Sequence, residues 1–364
     1  MNFITRCLIS LFVLALPIVA VAQTGSFFEE FYVEKAQIAR DQLDWGQAIE
    51  HYTKLHKKFP SNLEYDWEIA MCYYYNEQFD EAINVVDELI RLRPSEIKYH
   101  RLTANAYDLK GDYDSAINVL NEAIASMPNE GELFLDYGVI AYLRGDEQRA
   151  IELWEDGIRA DPYFSENYYW ATKTFAESAA PIWAIMYGEM FLNIEKGTER
   201  FSEISELLLG EYLRYLKQDS TAITAVDLQF EGRNLFQESF DNVFQILRDR
   251  DYIDLEGTGR MPDGSYSDTR AISFIKEQFL DVWMQIYDSE FPVPLFRWQA
   301  KLQSNSNLEA YAHWLLINGE PNYFLKWQSQ NRAQFDNFIM DMGMNPLKVD
   351  ILNYFCRKDY VVNN

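Results

Sequence analysis

The sequence is short of cysteine, histidine and basic residues. Its 364 residues include 3 Cys and 4 His, and 57 acidic residues outnumber 32 basic ones, which gives a formal net charge of −25. So few cysteines cannot build the disulfide scaffold of a small secreted domain. Phosphate backbones repel a chain this acidic that has no segregated basic patch, so nucleic-acid binding is not predicted.

The sequence also lacks the spacings that catalysis or metal binding require. No CxxC, HExxH, GxSxG or GxxxxGK[ST] pattern occurs, and the four histidines, His51, His56, His100 and His313, are scattered. A metal ligand set needs side chains at defined spacings, and a general base needs a neighbour that orients it. We therefore predict no catalytic residue, no metal site and no cofactor.

Long apolar runs are absent except near the start of the chain. Residues 7–22, CLISLFVLALPIVAVA, follow Arg6, and Ala20 and Ala22 precede a cut before Gln23. This pattern is typical of a cleaved secretory signal. A membrane anchor is the alternative, but 16 residues fall short of the roughly 20 that cross a bilayer. We expect a protein exported to a bacterial periplasm or envelope, or secreted, without a transmembrane segment in the mature chain.

Cleavage would remove Cys7 and leave Cys72 and Cys356. Each lies in an apolar helical pattern. Two buried thiols are the favoured interpretation, and one disulfide between the two halves of the chain is the alternative.

An internal repeat dominates the first half of the chain. Proline recurs every 34 residues at Pro60, Pro94, Pro128 and Pro162. Alanine recurs with the same spacing at five positions, and a small or β-hydroxyl residue stands twelve residues before each. The five pairs are Ala36 and Ala48, Ala70 and Ala82, Ala104 and Ala116, Gly138 and Ala150, and Thr172 and Ala184.

This pattern fits helices that cross closely, turn sharply and end at defined residues. Two helices approach closely only where both lack bulk, which the paired small residues provide. Gly111 and Gly145 can take a left-handed turn between helices, and Asp112 and Asp146 can cap the helix that follows. The proline ends the second helix of each pair. We therefore predict an all-α fold.

The 34-residue pattern resembles the tetratricopeptide repeat family. In its register the repeats are 29–62, 63–96, 97–130, 131–164 and 165–198. The resemblance implies an α-solenoid whose first helices line a concave groove. Side chains at the family's inward positions are then the candidate partner-binding residues, namely Trp67, Met71, Tyr74, Tyr75, Arg101, Asn105, Tyr142, Tyr169 and Trp170.

The predicted groove is aromatic with an acidic rim. Some family members clamp a C-terminal carboxylate with an Asn of one repeat and two basic residues of the next. In this sequence those three positions hold Asp136, Glu166 and Trp170, which would not hold a carboxylate. The groove instead suits an apolar peptide or protein segment, with basic residues as a further feature of the partner. The alternative is that the aromatic side chains pack against the neighbouring repeat or lie beneath the C-terminal half.

The second half, 199–364, loses the 34-residue period but keeps helical patterning. Predicted helices cover 203–217, 220–231, 234–250, 269–288, 295–303, 307–317, 322–330, 332–342 and 346–356. A degenerate sixth repeat over 203–236 is suggested by Gly210 and Ala222, and 257–268, with three Gly and one Pro, is predicted to be a loop. We therefore expect an all-helical C-terminal domain.

The leading functional hypothesis is an exported scaffold or assembly factor that holds a partner segment in the concave groove. The alternative is an envelope enzyme that acts on cell-wall glycans through its helical C-terminal half and uses the repeats as a docking arm. A third hypothesis is self-assembly through exposed end repeats, since terminal units of a solenoid need polar caps.

Overall fold

The computed structural model of the chain describes residues 27–217, 228–253 and 267–362. The predicted signal at 1–22, with Cys7, lies outside these ranges. So do Ala222 of the predicted sixth repeat and all but two residues of the predicted loop 257–268. These three features stay predictions.

The prediction of an all-α solenoid followed by a helical half is confirmed. In the repeats the helices are α1 (Phe27–Asp41), α2 (Trp45–Lys58), α3 (Leu63–Tyr75), α4 (Phe79–Leu92), α5 (Ile97–Lys110), α6 (Tyr113–Ser126), α7 (Gly131–Leu143), α8 (Glu147–Ala160), α9 (Ser165–Ala176) and α10 (Pro181–Ile194). Beyond them lie α11 (Glu199–Lys217), α12 (Leu235–Asp249), α13 (Asp268–Ile286), α14 (Pro294–Ser304), α15 (Leu308–Leu315), α16 (Pro321–Gln330), α17 (Arg332–Met344) and a 3-10 helix at Arg357–Tyr360. Two short antiparallel strands pair, β1 (Arg233–Asn234) with β2 (Val361–Val362).

The turns form for the reasons that the sequence suggested. Gly111 and Gly145 have φ values of 81° and 78°, in the left-handed region that favours glycine. The side chain of Asp112 accepts a hydrogen bond from the backbone N–H of Ser115 at 3.3 Å. Asp146 caps α8 in the same way. Each cap satisfies an amide that has no partner within its helix.

The small residues allow the close helix crossings. All five repeating alanines, from Ala48 to Ala184, are completely buried. At Gly138 a β-carbon would lie 2.6 Å from Trp154 Cδ1, closer than real contacts allow. The missing side chain of Gly138 therefore makes room for the indole of the second helix in its own pair.

The described chain forms two compact units, one up to Gly111 and one from Asp112 onward. The predicted repeat 97–130 contributes its first helix to the first unit and its second helix to the second. In the first unit, Tyr52 and Leu55 of α2 and Ile69 of α3 share a core with the small residues Ala36 and Ala48. The predicted domain boundary after residue 198 stays a prediction.

In the second unit, α10 is enclosed on every side. Twelve of its fourteen residues, Ile182 to Asn193, are buried, including Glu189. The Glu189 carboxylate pairs with Lys276 Nζ of α13 at 2.5 Å and accepts hydrogen bonds from Gln299 at 2.6 Å and Tyr311 at 2.9 Å. A helix that is apolar almost all round needs partners all round, and the C-terminal helices provide them.

Residues 355–362 fasten the C-terminal half to the repeat helices of the second unit. Arg357 donates two hydrogen bonds, of 2.8 and 2.7 Å, to the carboxylate of Glu155 on α8. Tyr187 of α10 donates to the same carboxylate at 2.6 Å, and Lys358 pairs with Asp156 at 2.6 Å. The segment thus meets the second helices of the fourth and fifth pairs.

Two helix predictions in the C-terminal half are wrong in detail. Residues 346–356 contain no α-helix. Pro346 lacks an amide donor, and Asp350 accepts hydrogen bonds from the Leu352 amide and the Asn353 side chain, which fixes a turn instead. The described part of 220–231, from residue 228, is also not helical.

Both remaining cysteines are buried free thiols. Cys72 belongs to the core of the first unit, whereas the Cys356 thiol of the second unit lies 3.7 Å from the Glu155 carbonyl oxygen. Burial raises the pKa of Cys72 to about 12. This finding agrees with the favoured interpretation of two buried thiols.

Candidate functional site

The first unit places two of the candidate groove residues in its core. Trp67 and Met71 of α3 are only 8% and 7% exposed. The Trp67 ring lies 5.5 Å from the ring of Tyr99 on α5, and Lys98 Nζ sits 4.7 Å from the Trp67 ring centre. Trp67 and Met71 therefore join neighbouring repeats and present little surface to a partner.

Tyr74 and Tyr75 of α3 are half-buried. The Tyr75 ring stacks on Trp45 with centroids 5.1 Å apart, and the Tyr74 ring meets Phe79 edge-on at 5.8 Å. Arg101 and Asn105 of α5 are half-buried as well. In this unit the aromatic side chains pack within the repeats, which buries Trp67 and half-buries Tyr74 and Tyr75.

The second unit brings Tyr142, Tyr169 and Trp170 together. The Tyr142 ring lies 6.0 Å from the rings of both Trp154 and Trp170, and Trp170 stacks on the fully buried Trp154 at 5.8 Å. Tyr169 meets Trp170 edge-on at 5.7 Å. Tyr142 and Tyr169 are half-buried, whereas Trp170 is buried. We call these three residues the tyrosine platform.

Family models support this interpretation of the helical pairs. Two models described as tetratricopeptide repeat match the chain, one over residues 39–106 and the other over residues 101–163. This part of the chain belongs to the tetratricopeptide repeat family. The tyrosine platform thus begins in the matched repeats with Tyr142 and extends into the pair that follows them.

Comparison with solved structures also returns similar chains. Two crystal structures of MamA are similar to this chain, with sequence identities of 21% and 19% and TM-scores of 0.35 and 0.34. The alignments cover 44% and 52% of this chain and 93% and 94% of the MamA chains. A search of the curated proteins finds no match to this chain.

Charged side chains contact Tyr169 of the tyrosine platform and lie near Tyr142. Tyr169 donates a hydrogen bond to Glu203 at 2.7 Å, and Lys173 Nζ donates to the same carboxylate at 2.5 Å. Burial alone would raise the pKa of Glu203, but these two hydrogen bonds hold it below its usual value. Burial and the carboxylates of Glu177 and Glu147 raise the pKa of Tyr142.

The repeat pattern did not reveal one residue that supports the platform from below. Trp154, which was not among the candidate residues, lies in ring contact with both Tyr142 and Trp170. The sequence did contain a signal for this contact. Gly138 is the one glycine among the five small residues that stand twelve positions before the repeating alanines, and its missing side chain leaves room for the large Trp154 ring.

Neither a metal-binding cluster nor a membrane-crossing helix is found among the described residues. No group of three or more His, Cys, Asp or Glu side chains among them could hold a metal ion. In the described ranges, no helix combines the length and apolarity needed to cross a membrane. A cavity beside Glu189 and Lys276 measures about 20 Å³, which is space for one water molecule.

Proposed function

We propose that the protein is an exported interaction scaffold, and that the tyrosine platform binds an apolar segment of a partner protein that also carries basic residues. Tetratricopeptide repeats over residues 39–163 support the general role of a protein-interaction scaffold. The platform supplies a specific surface for that role.

The observation that carries this proposal is the fixed position of two half-exposed tyrosines. Tyr142 and Tyr169 are both in ring contact with Trp170, which is itself stacked on buried Trp154. Binding energy concentrates at aromatic side chains held in place before the partner arrives, because little conformational entropy remains to be lost. The repeats thus hold the two phenol rings ready for contact.

The charge around the platform indicates the chemistry of the partner. Glu177 and Glu147 lie close enough to affect the pKa of Tyr142. The two cations over the Tyr169 ring, Lys173 and Arg200, are each paired with a glutamate. The whole chain carries a net charge of −25. Complementary charge accelerates encounter and suppresses wrong partners. A partner segment with basic residues beside its apolar anchors is therefore favoured.

A binding test should use tyrosines, because truncating the buried Trp67 would disturb the core of the first unit. We expect Tyr142→Ala with Tyr169→Ala to weaken partner capture by about 2 kcal/mol, roughly thirtyfold. The measurement is in-cell crosslinking and affinity purification of the tagged chain, with helicity checked by circular dichroism. Tyr163→Ala is the matched control, since Tyr163 is 67% exposed in the same unit.

Unchanged capture by a folded double variant would contradict the assignment of the platform. A loss of capture in the Tyr163→Ala control as well would show that the effect is not specific. Tyr169→Phe refines the test, because it keeps the ring and removes the hydrogen bond to Glu203.

Export is supported by the apolar run at 7–22 and by Ala20 and Ala22 before Gln23. We expect the protein isolated from its own cells to begin at Gln23 and to fractionate with the periplasm or envelope. Mass spectrometry of the N-terminal peptide measures this. A chain recovered from the cytosol with residues 1–22 intact would contradict export.

A further inference from the structure

The first helical pair exposes a face that every later pair buries. At positions 3 and 10 of the repeat, Phe31 and Ile38 of α1 are 41% and 40% exposed. The equivalent side chains in the later pairs are at most 7% exposed; they are Tyr65 and Cys72, Tyr99 and Ala106, Leu133 and Ile140, and Asn167 and Thr174. No described helix precedes α1. The terminal unit of a solenoid normally has a polar outer face, so an apolar one marks an interaction surface.

The next pair shows which kind of side chain covers this face. Tyr65 and Cys72 pack in one cluster with Ala48, Tyr52 and Leu55 of α2. The three α2 residues have the spacing i, i+4 and i+7, with a small residue first and bulky residues after it. A helix of the same pattern would cover Phe31 and Ile38 in the same way.

The charges along α1 indicate a basic occupant. In the second pair, Glu68 of α3 forms an ion pair with Arg40, which comes from the first helix of the preceding pair. Glu34 stands 34 residues before Glu68, is exposed, and has no ion pair within the described residues. Glu30 and Asp41 follow the same helix edge by their spacing. The neighbouring cation, Lys35, lies over the Phe31 ring at 5.7 Å and forms no ion pair with Glu34 among the described residues. The occupant of this edge therefore needs an arginine or lysine.

We propose that Phe31, Glu34, Lys35 and Ile38, the end face, dock a helical hairpin from a separate protein. One helix of that hairpin carries a small residue followed by bulky apolar residues four and seven positions later, and the other carries a basic residue for Glu34. The occupant extends the stack by one unit. This surface lies in the first unit and does not depend on the tyrosine platform.

A second copy of the chain fits the end face less well. A two-fold contact brings the same patch of both copies together, so the three carboxylates of Glu30, Glu34 and Asp41 would meet three more carboxylates and only one lysine, Lys35, from the other copy. A head-to-tail contact would need a free second helix at the far end of the repeats, but α10 is buried on all sides.

The test compares the natural chain with a variant in which an added helical pair covers the end face. A second copy of residues 27–60 is inserted between residues 26 and 27, which keeps the 34-residue period and supplies Arg40, Ala48, Tyr52 and Leu55 to the original end face. Both chains carry a photo-crosslinking amino acid in place of the original Ile38 and are irradiated in their native cells. Crosslinked peptides are identified by mass spectrometry.

The natural chain is expected to crosslink to a helical hairpin of another protein that has the stated apolar spacing and a basic residue. The chain with the inserted copy is expected to lose that crosslink from the original position. Glu34→Lys should lower the crosslink yield about tenfold, and the matched control Glu122→Lys, an exposed glutamate of the second unit, should leave it unchanged.

Four outcomes overturn the proposal. These are no crosslink in the natural chain, a crosslink to a second copy, a crosslink to residues 7–22 of the same chain, and a partner peptide without the pattern. Tyr142→Ala with Tyr169→Ala should not change the crosslink at position 38, so failure of the platform and failure of the end face are distinguishable.

Discussion

The two units use arginine–glutamate pairs in different environments. In the first unit, the side chains of Arg40 and Glu68 are 25% and 14% exposed. In the second unit, the side chains of Arg357 and Glu155 are 4% and 0% exposed and form a bidentate ion pair. The first pair links neighbouring repeats near water, whereas the second fixes a distant segment of chain to the repeats away from water.

The difference shows what the C-terminal half adds to a repeat array. In the first unit each second helix keeps one exposed face, and α4 alternates buried Ala82, Val86 and Leu89 with charged residues. In the second unit α10 has no such face, because helices beyond the repeats enclose it. The hydrogen bonds and ion pairs of Glu189 and Glu155 are directional. They therefore make the packing of the C-terminal half on the repeat helices of the second unit more specific than apolar contacts alone would.

The largest expected effect comes from breaking the buried pair. Arg357→Ala should lower the free energy of unfolding of the second unit by about 3–5 kcal/mol, because the Glu155 charge is left buried. Arg40→Ala in the first unit should cost about 1 kcal/mol, as expected for a partly exposed pair. Urea titrations followed by circular dichroism measure both. Equal losses would remove the contrast between the two units.

Stability should also depend on pH through Glu211 of the second unit. Burial raises the pKa of Glu211 to about 7, against the opposing effect of Arg214. The folded unit therefore binds a proton between pH 4.5 and 7 that the unfolded chain has released, so this contribution to stability is full below pH 4.5 and is lost as the pH rises through 7. The loss is at most about 3 kcal/mol.

Glu211→Gln should remove this pH dependence, and the measurement is the urea midpoint from pH 4.5 to 8. Glu206→Gln, an exposed change on the same helix, should leave the dependence in place. A profile that is identical in wild type and Glu211→Gln would contradict the assignment.

A smaller difference in stability is expected between alanine substitutions at two glycines. Gly138→Ala should destabilise the second unit by about 1–3 kcal/mol, because the new β-carbon meets Trp154. At Gly210 of α11 a β-carbon would meet nothing within 4 Å, so Gly210→Ala should be neutral or stabilise by up to about 1 kcal/mol. Thermal unfolding measures both variants. A loss at Gly210 would favour a tight crossing there, as the predicted sixth repeat requires.

The repeat period predicted the helix pairs because its evidence is local. The small residues at Ala48 and Ala150, the left-handed Gly111 and the cap at Asp112 act within one hairpin. Each can be assigned without knowing what lies elsewhere in the chain.

The exposure of the candidate site could not be predicted in the same way. An inward position in a repeat is open or closed depending on its neighbours, and the large rings of Trp67 and Tyr99 close the space between two first helices. Glu155 and Arg357 are 202 residues apart. Within each local pattern these two residues resemble any solvent-exposed charge, so no spacing rule could join them.

The long span between Arg357 and Glu155 has a consequence for biosynthesis. At about 5–20 residues per second, the 202 residues between these partners take roughly 10–40 s to synthesise. The helices that carry Glu155 and Tyr187 are synthesised first, and the Glu155 carboxylate has no arginine partner until Arg357 has been made. During that interval the second unit exposes apolar surface that chaperones can bind, and its folding cannot finish until Tyr360 has left the ribosome.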